Sequence, residues 1–488
     1  MPSLEDLRFD NSYARLHPSL YQAVEPTPLP NPYLVAFNPD GAALLDLDPA
    51  LREHPNAAAY LSGSKRLPGA EPVAMLYAGH QFGVWVPQLG DGRAILLGQA
   101  VNARGEHWDL HLKGGGQTRF SRMGDGRAVL RSTIREYLAS EALHALGIPT
   151  TRALSIVGSD DPVYRETAET AATLIRLAPS HVRFGSFQVL ASRGQRERLE
   201  ELADYVIGRH HPDLAGAPDR YHRWLQWVVD RTAELIAKWT AVGFAHGVLN
   251  TDNMSVLGLT LDYGPYGFVE GYDPGFICNH SDDHGRYAFD QQPAVGLWNL
   301  ARFAEALIPL VTVEEANLAL ERYQSRFEAT YIELIRAKLG LAVAREEDAA
   351  LVGEMLALMA TSRVDFTHWF RSLGDLPSGV TSAPEWLRAM VPDGGQLDAR
   401  VARYGARLRV EGRPDLERRD ATRRVNPKFV LRNYLAQQAI ERAQAKDYSE
   451  IERVWSLLRS PFDEHPELAG YAEPAPAWAR DLQVSCSS

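Results

Sequence analysis

The pattern of apolar and polar positions changes along the chain. From about residue 71 to 190 the apolar residues come in short blocks. Phe82–Gly98 predicts two strands joined by a Gly90-Asp91-Gly92 turn, and Trp108–Lys113 alternates apolar and polar side chains until three glycines end it. Ser132–Leu146 has helical spacing: Ile134, Leu138, Ala142 and Ala145 lie close to one stripe, with Ser132 or Thr133 as the expected cap and Gly147 with Pro149 as the stop. Helical periodicity dominates after residue 195, most clearly in Tyr221–Val242. It resumes beyond a loop-rich block from Gly243 to about Asp290 and runs to about residue 460, with a break near 372–398. Residues 1–70 are punctuated by Pro26, Pro28, Pro30 and Pro32 and predict an extended N-terminal wrap. The expected fold class is α+β: a strand-rich lobe over 71–190, a larger helical lobe over 191–400, and a helical extension with a tail over 401–488.

Composition narrows the function classes. At 45% hydrophobic and 23% charged residues, the 488-residue chain is an ordinary globular protein rather than a disordered or fibrous one. No apolar run approaches the ~18–20 residues a membrane span needs. The N-terminus lacks the plan of a secretion signal, and two cysteines fit a reducing, cytoplasmic location. A net charge of −11 argues against a nucleic-acid partner. The cluster Arg418, Arg419, Arg423 and Arg424 is interspersed with Glu417 and Asp420, which predicts a salt-bridged helical face.

The chemistry concentrates in His246–Gly264. His246 is followed seven residues later by Asn253, then by Asp262-Tyr263-Gly264. Protein kinases place an Asn and a second Asp in this order to hold magnesium against nucleotide phosphates. Laying His246 on the kinase His puts Val248 where the catalytic aspartate belongs, and valine accepts no proton; Asp252 is the nearest carboxylate. Asn253 and Asp262 supply the one or two hard oxygens Mg²⁺ takes from protein. Lys113 at a strand end and Glu136 in the next helix are the expected ion pair. Gly90-Asp91-Gly92-Arg93 and Gly124-Asp125-Gly126-Arg127 are turns where backbone can approach a nucleotide. Arg176 and Arg183 flank a Pro179-Ser180 turn and suit phosphate oxygens.

Five strings carry a specific resemblance: Tyr77–Gly83, Leu89–Arg93, Leu112–Thr118, His246–Gly264 and Asn426–Asn433. Through them the chain resembles the selenoprotein O (SelO, YdiU) family over almost its whole length. The resemblance implies a protein-kinase-like two-lobed fold. It also implies transfer of AMP from ATP, bound back to front, to Ser, Thr or Tyr hydroxyls of proteins. Carried over by residue, Lys113, Arg176 and Arg183 would hold the terminal phosphate, and Gly90, Gly92, Arg93, Asp125 and Gly126 would line the nucleotide. Glu136 would orient Lys113, Asn253 and Asp262 would bind Mg²⁺ (or Mn²⁺), and Asp252 would accept the proton. Cys278 falls where a kinase has its activation loop and Cys486 where some family members carry selenocysteine; the two readings are unrelated thiols and a regulatory disulfide between them. The rival readings are a phosphotransferase and a silent nucleotide-binding scaffold.

Overall fold

A computed structural model describes residues 3–391, 395–482 and 484. The strand-rich region is built on one sheet. Its strands are β1 (Tyr21–Ala23), β2 (Tyr33–Phe37), β3 (Val73–Met75), β6 (Ala94–Val101), β7 (His107–Lys113), β8 (Ala128–Val129), β9 (Arg152–Tyr164) and β10 (Ala168–Ala178). The order is β1-β3-β6-β7-β10-β9-β2, with β8 paired to β10. A separate hairpin joins β4 (Gly79–Gln81) to β5 (Val84–Val86).

Side-chain alternation gives the sheet two different faces. Ile95, Leu97, Leu110, Leu112, Ile175 and Leu177 point to one side, where Leu45, Leu47, Tyr60 and Leu61 cover them. The N-terminal segment thus supplies two strands and the cover of this face. On β7 the intervening residues Asp109, His111 and Lys113 are polar and still buried, so they face the interior side. That side packs on the helix Leu130–Ala145, and its core continues into the helices Arg220–Val242 and Gln292–Leu307. A second core around Trp369, Phe370 and Met359 organises the later helices.

Two local expectations are corrected. Gly90-Asp91-Gly92 does not close a hairpin, because β5 pairs with β4 while β6 pairs with β3 and β7. Asp91 is instead pinned to the sheet, its N–H donating to the Met75 carbonyl and its carboxylate accepting from Met75 N–H. The helix begins at Leu130 rather than at a Ser132 or Thr133 cap. Both hydroxyls lie inside the helix and donate to the carbonyls three residues back, Val129 and Leu130. The long helix, by contrast, starts one residue before Tyr221 and stops where expected, at Gly243 with φ 75°.

Candidate active site

The loop block wraps against the interior face of the sheet and leaves a cavity of about 760 Å³. Gly90, Gly92, Arg93, Lys113, Asp125, Gly126, Arg176, Asp252, Asn253 and Asp262 all line it. Of the remaining predicted site residues, Arg183 and Glu136 sit just behind the wall, 1% exposed each.

One end is a dense cluster of paired charges. Lys113 ends β7 and donates to Glu136 at 2.6 Å, with both side chains buried. Glu136 also meets Nε of Arg176 at 2.9 Å in an ion pair the sequence did not reveal. Arg176 and Arg183 each bind one oxygen of Asp262. Arg183 also donates to the Asp252 carbonyl at 2.9 Å, and its guanidinium lies 4.4 Å over the Tyr77 ring. Burial alone would push the Asp262 carboxyl up; the guanidiniums of Arg183 and Arg176 override it and hold the group well below the carboxylate range. Burial lowers the Lys113 ammonium to about 8 against the pull of Glu136. Asp262 has φ +58°, a left-handed conformation rare outside glycine, asparagine and aspartate, at the residue both arginines clasp.

Beside this cluster lies a carboxylate of different character. Asp252 is 5% exposed and has no ion-pair partner among the described residues. Oδ2 accepts from Gln81 Nε2 at 3.1 Å, while Oδ1 is buried with no hydrogen-bond partner among the described residues. Burial lifts this carboxyl to about 6. The hairpin makes the fit: His80 N–H donates to Thr251 Oγ1 at 2.7 Å, and Phe82 N–H donates to Asn250 Oδ1 at 3.2 Å. A Cβ on Gly79 would fall 2.5 Å from Asp252 Oδ1, so only glycine permits this approach. Tyr77, Gly79, Gln81 and Asn250 were missed as site residues; the first three stand in the Tyr77–Gly83 string, to which no role had been attached.

Asn253 Nδ2 donates to the Val248 carbonyl at 2.9 Å, which leaves the amide's hard oxygen for a ligand. Both Asp262 oxygens are taken by Arg176 and Arg183, so Asp262 could join Asn253 as a metal ligand only on release from the arginines. No group of three or more His, Cys, Asp or Glu that could hold a metal occurs among the described residues. Asp125 is engaged by Arg165 through two contacts of 2.8 and 2.9 Å. A Cβ on Gly126 would collide with the Gly116 backbone at 2.1 Å, so this turn too depends on glycine. Cys278 is buried, and its candidate partner Cys486 lies outside the described residues. No helix among the described residues is long and apolar enough to cross a membrane.

Comparison with known proteins identifies the family. The family model described as protein adenylyltransferase SelO matches residues 3–459. A protein nucleotidyltransferase YdiU of Myxococcus xanthus is 57% identical, with the whole of both chains covered. Those of Thioalkalivibrio sulfidiphilus and Thiobacillus denitrificans are 56% and 54% identical, again over the whole of both chains. Similarity that runs end to end through every segment lining the cavity means that the chain belongs to the SelO family and is a nucleotidyltransferase.

Proposed function

We propose that the protein transfers AMP from ATP to Ser, Thr or Tyr hydroxyls of other proteins, using a kinase-like two-lobed fold in which ATP lies back to front. In this reading 71–190 and 191–400 are the lobes, and 1–70 and 401–488 the extensions. The observation that carries it is that one cavity combines a cation cluster, Arg93, Lys113, Arg176 and Arg183, with a buried Asp252 carboxylate that has no ion-pair partner among the described residues.

Lys113, Arg176 and Arg183 gather about Glu136 and Asp262 with Arg93 beside them, and such a concentration of positive charge suits a polyphosphate. The terminal phosphates displace Asp262 from the arginines, and Gly90, Gly92, Asp125 and Gly126 line the rest of the nucleotide. With the terminal phosphates held there, the α-phosphorus faces Asp252. The acceptor hydroxyl gives its proton to Asp252 Oδ1 as its oxygen bonds to the α-phosphorus. The bond from that phosphorus to the bridging oxygen breaks, and pyrophosphate leaves against Lys113 and the arginines. Asn253 and Asp262 would hold Mg²⁺, which when bound neutralises charge on the phosphates. An aspartate near 6 is a competent base at neutral pH, whereas one near 4 would be a weak one.

Incubation with α-³²P-ATP and, in parallel, γ-³²P-ATP tests the reading. The α-label is expected on protein and the γ-label in pyrophosphate. Protein labelled from the γ-position alone would make the enzyme a kinase, and ATP binding with neither label transferred would make it a scaffold.

A further inference from the structure

Beneath the cation cluster lies a buried polar assembly that the chemistry above does not use. Asp91, His111, Asp109 and His181 are each 2% exposed or less. The two imidazoles stack with centroids 4.3 Å apart and planes 16° from parallel. Each ring leans on its own carboxylate, His111 Nε2 on Asp91 Oδ2 at 3.1 Å and His181 Nδ1 on Asp109 Oδ2 at 3.2 Å. The carboxylates are anchored in turn. Met75 N–H donates to Asp91 at 3.0 Å; His181 N–H and Gln99 Nε2 donate to Asp109 at 2.9 and 2.7 Å.

The placement of these residues is what gives them meaning. Asp91 stands two residues before Arg93, His111 two before Lys113, and His181 two before Arg183. Arg176 is the cross-strand partner of His111 in the register of β7 and β10. Residues two apart on a strand share a face, so His111 and Lys113 project from the same side of β7. Every cation at the phosphate end is therefore joined through a short backbone path to one rigid stack.

We infer that Asp91, His111, His181 and Asp109 are positioning residues: a platform that fixes the four cations in their phosphate-binding arrangement before ATP arrives. The inference rests on the terminal-phosphate reading given above. A core built only for stability would do better with apolar side chains, because buried carboxylates are costly and two ring nitrogens, His111 Nδ1 and His181 Nε2, have no hydrogen-bond partner among the described residues. Nearby cations make the Asp91 carboxylate tolerable. Burial opposes ionisation of Asp91, but His111 and Arg183 prevail and keep its carboxyl below the ordinary value. In return the platform adds negative charge under a cluster that would otherwise repel itself, and a preorganised site loses less on binding.

The test uses the full-length protein and compares dissociation constants for Mg-ATP and AMP, which share the α-phosphate and differ in the terminal ones. Asp91→Asn keeps the shape of the side chain and removes its charge. It should weaken Mg-ATP about tenfold, leave AMP within about twofold, and raise KM for ATP with kcat within about threefold. Asp109→Asn, acting from the far side through His181, should do the same and serves if the first variant does not fold. Two folded variants that bind Mg-ATP like the wild type, or that lose ATP and AMP in equal proportion, would overturn the platform. A wild type that binds ATP no better than AMP would overturn the terminal-phosphate reading itself and the platform with it.

Discussion

Asp262 and Asp252 line one cavity and share Arg183, which binds an Asp262 oxygen and the Asp252 carbonyl, yet their carboxyls have been driven in opposite directions. Asp262 is clasped by two buried guanidiniums and stays ionised far into acid. Asp252 has one amide contact, a bare oxygen and a carboxyl near 6. The lesson is that burial alone does not set a carboxylate's role; the count of cations within reach does. A paired aspartate is a fixed charge or a ligand, and an unpaired buried one is a proton acceptor.

Removing the paired member should have the largest effect. Asp262→Asn leaves Arg176 and Arg183 without their carboxylate and should cost about 3 kcal/mol or more in folding stability, read by denaturant unfolding. Transfer of the α-label should fall below detection. A variant that kept both stability and activity would show that the clasp is incidental.

Asp252→Asn should behave in the opposite way. Transfer should fall roughly 10²–10⁴-fold while Mg-ATP binding persists. Because the folded carboxyl sits near 6 and the unfolded one near 3.8, the native state binds the extra proton, and this group's contribution to stability is lost as pH rises from about 4 to 6. The neutral variant should therefore unfold at a higher temperature than wild type at pH 8, by up to about 3 kcal/mol of stability, and match it at pH 4. In the wild type, transfer should drop about tenfold per pH unit below 6 as the base is protonated. Equal destabilisation at both pH values would erase the contrast between the two aspartates.

The smallest effect sharpens the comparison. Gln81→Leu removes the one side-chain hydrogen bond that favours ionised Asp252. The acid limb of the rate profile should move to higher pH by about half a unit to one unit, with a rate loss of at most about twofold at pH 7. An unmoved limb would mean that another group sets it.

Much of this was legible in the sequence, and the failures have local causes. The strand ending at Lys113 and the helix bearing Glu136 follow from spacing, and their salt bridge joins the two residues expected to pair. The start of that helix misled because Ser132 and Thr133 are good capping residues that here turn their hydroxyls back to the preceding carbonyls. The Gly90–Gly92 turn misled because a hairpin signal does not say which strands pair. The true hairpin turns at Phe82-Gly83, where φ is +50° and +81°, and Phe82 carries no such signal. Tyr77 and Gln81 were unreadable because their partners, Arg183 and Asp252, are more than a hundred residues away.

The sequence by itself determined the element types, the order of the chemistry along the chain, and the family, because these depend on residue kind and spacing. It could not decide that Arg176 would touch both Glu136 and Asp262, or that the Asp252 carboxylate would be buried with no ion-pair partner among the described residues. Those outcomes depend on desolvation and on charges brought within a few ångströms, and only chain packing sets either one.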